Sequence, residues 1–178
     1  PTHVLALLCC FDEVRLNMNS VTVIGSTKSL RELSEEVAYW CIGELMPRYR
    51  TLEIEIQLSK CADEGGWGFC YAMETERDFT IEIDKRIPKI YAYEAKKDKK
   101  ANEKECARLG REAFIETICH EMVHVWQTAS GVAQDRVYPK KLGYRKLWKG
   151  KDYTDTAYSK QPWERQAFRM QVQLLKKY

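Results

Sequence analysis

Hydrophobic and polar positions divide the chain into stretches of two different periods. From Thr51 to Leu58 they alternate, with Leu52, Ile54, Ile56 and Leu58 on one face and Glu53, Glu55 and Gln57 on the other, which is the period of a half-buried strand. Gly65-Gly66 marks a turn, Trp67 to Met73 follows as an aromatic-rich strand, and Phe79, Ile81 and Ile83 alternate with Thr80, Glu82 and Asp84 in a third. Three strands in close succession predict an antiparallel meander. Two earlier apolar runs, Val4 to Cys10 and Ser20 to Ile24, have the composition of strands or of a loose lead-in.

Elsewhere the period is helical. Leu30, Leu33, Val37, Trp40, Cys41 and Leu45 recur at helical spacing, with Thr27 or Ser29 placed to cap the start and Pro47 to end the run. A longer helix is predicted from about Asn102 to Ala129, where Ala113, Phe114, Ile118, Met122, Val125 and Trp126 form a broad apolar stripe and Gly131 can end it. Pro162 suits the first turn of a last helix, Trp163 to Lys177, with Trp163, Ala167, Met170 and Leu174 as its buried line. Pro88 to Lys100 has no clear period and is expected as an exposed connection with some helix in it, and Val132 to Ser159 as an irregular rim. The expectation is one α+β domain over residues 1–178. It has an antiparallel sheet of three or more strands on a scaffold helix and a long central helix, then the rim and the C-terminal helix.

Composition narrows the function classes only slightly. With 178 residues, 44% of them hydrophobic and 31% charged, the chain is long enough to bury a core and reads as globular. A net charge of +3 is too small to imply nucleic acid, although Lys and Arg gather in Lys96 to Lys104 and Arg136 to Lys151, a solvated face or a contact for an anionic partner. Seven cysteines, an odd number without a C-x-x-C, indicate neither a disulfide framework nor a cysteine zinc site and favour a reducing compartment. Val4 to Phe11 is too short to span a bilayer and lacks a basic leader. A cytoplasmic protein without a targeting segment or a membrane partner is expected.

The chemistry concentrates in His120-Glu121-Met122-Val123-His124. Residues four apart on a helix lie one turn above each other, so both imidazoles can meet one metal ion. Glu121 then stands beside the metal, where a carboxylate can serve a bound water as general base. This is the H-E-x-x-H pattern of zinc metallopeptidases, and it requires the helix that the periodicity predicts. Catalytic zinc takes three protein ligands and a water. The other histidine, His3, is far away in sequence, and the extended H-E-x-x-H-x-x-G-x-x-H form fails because Gln127 and Ser130 occupy its last two fixed positions. A downstream carboxylate is therefore sought among Asp135, Asp152, Asp155 and Glu164. Glu164 has the best setting, in the first turn of a helix that can hold it rigidly, with Asp155 or Asp152 as the alternatives.

On His120, Glu121 and His124, followed after a short segment by Tyr158-Ser159-Lys160-Gln161-Pro162-Trp163-Glu164, the chain resembles zincins of the gluzincin type. The similarity is to the minimal single-domain members, the minigluzincins, and to SprT-like and phage-encoded small metallopeptidases, and in element order it covers Thr51 to Tyr178. SprT relatives that use a third histidine are not matched, which weakens the case for a DNA-linked substrate. The resemblance implies a zinc-dependent metallopeptidase, with Zn2+ on His120, His124 and Glu164, Glu121 as general base, and a peptide or protein substrate. It also implies a tyrosine as donor to the transition state. Tyr158 is the first choice, with Tyr153 and Arg165 also in range, and Phe79 to Asp84 is expected either to pair with an extended substrate or to be an ordinary covered strand. The alternative from another class is a non-catalytic zincin-fold protein whose lysine-rich segments bind nucleic acid or an acidic partner.

Overall fold

The computed structural model describes residues 18–97, 102–138 and 143–178. The expected strand Val4 to Cys10, His3 and part of each lysine-rich segment lie outside the described residues. Strands β1 (Ser20–Gly25), β2 (Glu53–Ser59), β3 (Gly68–Ala72) and β4 (Asp78–Asp84) form one sheet, and β5 (Ala133–Tyr138), β6 (Gly143–Trp148) and β7 (Lys151–Asp152) form a second. The helices are α1 (Lys28–Leu45), α2 (Ile87–Lys97), α3 (Glu103–Ala129) and α4 (Pro162–Lys177). No described helix is long and apolar enough to cross a membrane.

The first sheet is mixed, in the order β1-β2-β4-β3, which corrects the expected antiparallel meander. β1 runs parallel to β2 and β2 parallel to β4, and β3 alone is antiparallel, hydrogen-bonded to β4 at the edge. Alternation along a strand fixes which face is buried and leaves the choice of neighbour open. Helix α1 supplies the long crossover that parallel β1 and β2 need. After β2 the chain passes over one position to lay down β3, and the β3–β4 hairpin then returns β4 into the gap. The alternating face itself is as expected, since Ile54, Ile56, Leu58, Phe79, Ile81 and Ile83 are all buried.

That face packs on α1 and α3, and α3 also meets α2, α4, β3 and β5. Phe114, Ile118, Met122 and Val125 are fully buried along α3, so the pentad is held on an element that has no freedom to shift. Asn102 caps α3 by accepting from the Glu105 N–H at 3.0 Å, and Thr27 caps α1. Segment 88–97, expected as an exposed connection with some helix in it, is helical throughout and lies against α3. The two helices meet so closely that a Cβ at Gly110 would stand 2.1 Å from the Pro88 carbonyl oxygen, a contact only glycine permits. The rim is likewise more regular than expected, because residues 133–152 hold the antiparallel β5-β6-β7 ribbon.

Asp84, at the end of β4, ties down the loop that leads to β3. Its side chain is fully buried, and it accepts from Arg86 Nη2 at 2.7 Å, from the Arg86 backbone N–H at 2.8 Å and from the Ala62 N–H at 2.9 Å. Burial opposes its ionisation, but the Arg86 guanidinium and these backbone donors outweigh burial and hold the carboxyl at about 2. A folded-state value below the unfolded one adds stability above roughly pH 4, and that stability disappears as pH falls through the folded value. Asp84→Asn is expected to cost about 2 kcal/mol at pH 7. The gap between wild type and variant in urea unfolding should close toward pH 2, and a gap unchanged with pH would contradict this account.

Candidate metal centre and cleft

Three donors from two helices converge where α4 crosses α3. His120 and His124 stand one turn apart on α3, and Glu164 lies in the first turn of α4, which starts at Pro162. The His120 and His124 Nε2 atoms are 3.1 Å apart, Glu164 Oε2 is 3.4 Å from His120 Nε2, and Glu164 Oε1 is 3.6 Å from His124 Nε2. The side chains are only 12%, 17% and 11% exposed, so water does little to screen them. Among the described residues, these three form the group that could hold a metal ion. Asp152 instead accepts from Thr154 and faces Arg145 at 3.4 Å, and Asp155 is exposed, so neither alternative ligand joins the cluster.

Two glutamines decide which imidazole nitrogens are available. His120 Nδ1 lies 2.5 Å from Gln171 Oε1, and His124 Nδ1 lies 2.8 Å from Gln127 Oε1. Gln171 donates its amide N–H to the Glu116 carboxylate at 3.0 Å, while Gln127 donates to the Trp163 carbonyl and to Gln166 Oε1, each at 3.0 Å. A carboxylate and a backbone carbonyl only accept here, so both amides are fixed with their oxygens toward the histidines. Each Nδ1 therefore donates, and each Nε2 is left with its lone pair facing the other and Glu164. Gln127 does a second job, because its bonds to Trp163 and Gln166 fasten α3 to the turn that carries Glu164. It is 1% exposed.

A proton competes with a metal ion for these nitrogens. Burial opposes ionisation of Glu164, but its contacts with His120 and His124 hold the carboxyl well below the usual carboxylate range. Burial also opposes the charged form of His120, and Glu164 with its neighbours overrides this and raises the imidazole. Glu121 is 4% exposed, and burial raises its carboxyl against the lowering influence of His124 and His120. A carboxyl raised in this way binds a proton more readily than a free one, as a general base must.

Glu121 reaches across to β3, and room for it comes from Gly68. A Cβ there would lie 2.7 Å from Glu121 Oε1 and 3.0 Å from its Cγ. The clash is with the end of a side chain that can rotate, so Gly68→Ala should displace the carboxylate and leave the fold intact. A Tm within a few degrees of wild type is expected together with at least a tenfold loss of any reaction that uses Glu121 as base. A variant of unchanged activity would show that the carboxylate position is not set by this strand.

Tyr158 stands over the cluster and donates its hydroxyl to Glu164 Oε2 at 2.9 Å. Burial and then the Glu164 carboxylate push its phenol above the ordinary range, so it remains a hydrogen-bond donor. The other two candidate donors are elsewhere: Tyr153 lies under the Lys151 ammonium, and Arg165 is exposed on α4 outside the cleft. The expected substrate strand is also corrected. Phe79 to Asp84 is β4, covered by β2 on one side and β3 on the other, whereas β3 is the edge strand. β3 forms one wall of a cleft of about 260 Å3 that contains His120, Glu121, His124 and Glu164, with Lys146 of the ribbon opposite.

Sequence reading missed the glutamines and Gly68. Gln127 was visible as a buried-face residue three positions after His124, the spacing that lets side chains on a helix touch. Gln171 reaches His120 across 51 residues and is held by Glu116 across 55, and no pattern in the chain pairs them. Comparison with known proteins adds no analogy to this geometry: no family model, no curated protein and no solved structure matches the chain.

Proposed function

We propose that the protein is a zinc-dependent peptidase of the zincin type, with His120, His124 and Glu164 holding the metal and Glu121 as general base. The observation that carries this reading is the convergence of three electron-pair donors next to a buried carboxylate. Tetrahedral zinc with ligands at roughly 2.0–2.2 Å places neighbouring ligand atoms about 3.3–3.6 Å apart. Separations of 3.1, 3.4 and 3.6 Å fit that requirement. The donor set, two neutral imidazoles and one carboxylate with an open side toward the cleft, suits catalytic zinc and is unlike the closed sites that serve structure alone.

When bound, zinc would bring the pKa of a water down to roughly 7 and polarise a substrate carbonyl. Glu121 takes the proton of the attacking water and passes it to the departing amine nitrogen, so that O–H and C–N bonds break as C–O and N–H bonds form. Tyr158 gives its one hydroxyl proton to Glu164 Oε2 in the resting site, and on turning from that carboxylate it can donate to the oxygen on which negative charge develops. Gln171 and Gln127 keep the imidazoles in the one tautomer that leaves Nε2 unprotonated. The edge of β3, which among the described strands pairs with β4 alone, offers backbone hydrogen bonds to an extended peptide laid across the cleft.

The test is to load the protein with zinc, incubate it with a diverse peptide mixture and read the products by mass spectrometry. Cleavage that vanishes with a chelator and returns with zinc is expected. A protein that binds one zinc per chain and cuts nothing would overturn the peptidase reading in favour of a binding role for the same fold, with nucleic acid or an acidic protein as partner.

A further inference from the structure

Beyond His120 the cleft opens into a second cavity of about 290 Å3. Its walls are aromatic. Trp67 and Tyr91 meet edge to face with ring centroids 5.9 Å apart, and Phe168 lies against the His120 ring at 4.8 Å. All three rings are well exposed, so they are available to an incoming group. Glu116 also lines this cavity. It stands one helical turn before His120 on the same face of α3, so it is roughly 6 Å further along the helix axis. One of its carboxylate oxygens accepts from Gln171, and the other takes no hydrogen bond among the described residues.

Charge decides what such a cavity can hold. Among the described residues no lysine or arginine lines it, and its two acids are Glu116 and Glu121. An anionic side chain would be repelled, and a purely aliphatic one would cover Glu116 without giving it a partner. A cation resolves both, because its charge meets the carboxylate and its stem and face lie against aromatic rings. A guanidinium does this best, being planar, weakly hydrated and able to give two N–H donors to one carboxylate.

We propose that this cavity is the subsite for a basic side chain, arginine foremost, next to the peptide bond that is cut, with Glu116 as the residue that sets the preference. The proposal rests on the peptidase reading and names its substrate class: peptides carrying a basic residue beside the scissile bond. The preference is a difference between substrates, so it is separable from any effect Glu116 exerts on His120 through Gln171.

The experiment compares two peptides that differ only at that residue, arginine in one and its uncharged isostere citrulline in the other. With zinc-loaded wild type, kcat/KM is expected to favour arginine by about 10- to 100-fold, the range of a charge-assisted hydrogen bond. In Glu116→Gln the ratio is expected to fall to within about threefold of one, whatever happens to the absolute rates. A wild-type ratio near one, or a ratio unchanged in Glu116→Gln, overturns the subsite and leaves the peptidase reading standing. If neither peptide is cut the peptidase reading fails, and calorimetric binding of the same two peptides to the same preparations decides the subsite. Tighter binding of the arginine peptide that is lost in Glu116→Gln supports it, and equal affinities overturn it.

Discussion

Glu121→Gln is expected to lower kcat for peptide hydrolysis by about 10²–10⁴-fold while the protein folds and takes up zinc as the wild type does. The substitution keeps the shape of a side chain that is 4% exposed and wedged against Gly68, so packing is preserved. What it removes is the site that takes a proton from the attacking water and returns it to the leaving nitrogen. His120, His124 and Glu164 keep their positions, because the bonds that orient them come from Gln171, Gln127 and Tyr158 and do not pass through Glu121. Zinc titration and steady-state kinetics on one preparation separate the two properties. Hydrolysis at the wild-type rate would remove Glu121 from its role as base, and loss of zinc would make it a ligand.

Glu164→Ala is expected to do the opposite. It should weaken zinc by on the order of 10³-fold or more, above the ~10–100-fold typical of changes in residues that only orient ligands. Two imidazoles would remain, and the alanine leaves Tyr158 without its partner at a position where water can replace it. The helix carrying residue 164 stays anchored by Trp163, which is 2% exposed and lies under the Lys146 ammonium at 4.5 Å, and by the Gln127 bond to the Trp163 carbonyl. The metal-free variant should therefore unfold close to the metal-free wild type. Asp155→Ala serves as the comparison and should keep zinc. Tight zinc in Glu164→Ala would sink the ligand assignment.

Both experiments turn on residues that are legible in the sequence, and the reasons differ. The pentad was legible because its spacing and the helical period of its neighbours are local properties, and the structure places His120 and His124 on one face of α3. Glu164 was legible through scarcity, since few carboxylates follow His124, and through the helix start that Pro162 announces. Which of Glu164, Asp155 and Asp152 approaches the histidines depended on how α4 lies on α3, and no local pattern encodes that.

The corrections share this cause. A clean alternation in Phe79 to Asp84 showed which side chains go inward, but the strand's neighbours were chosen by connections on either side of it, so an expected edge strand is interior and β3 takes the edge. Segment 88–97 has too little periodicity to announce a helix alone, and it is held by the close approach of Pro88 to Gly110 on α3. The β5-β6-β7 ribbon pairs strands rich in charge, in which charged positions hide the alternation that would announce a strand, while Ala133 and Leu147 are buried.

By itself the sequence determined the elements with strong periods, the buried face of each, and a His-Glu-His constellation on a helix, because side-chain spacing along one element is a one-dimensional property. Only the tertiary structure decided the mixed strand order, the meeting of Glu164 with the two imidazoles, the glutamines that fix their tautomer, and the aromatic cavity around Glu116. Each of these depends on distances between segments far apart in the chain, and those distances are set by the packing of α2 and α4 on α3 and of the sheet beneath it.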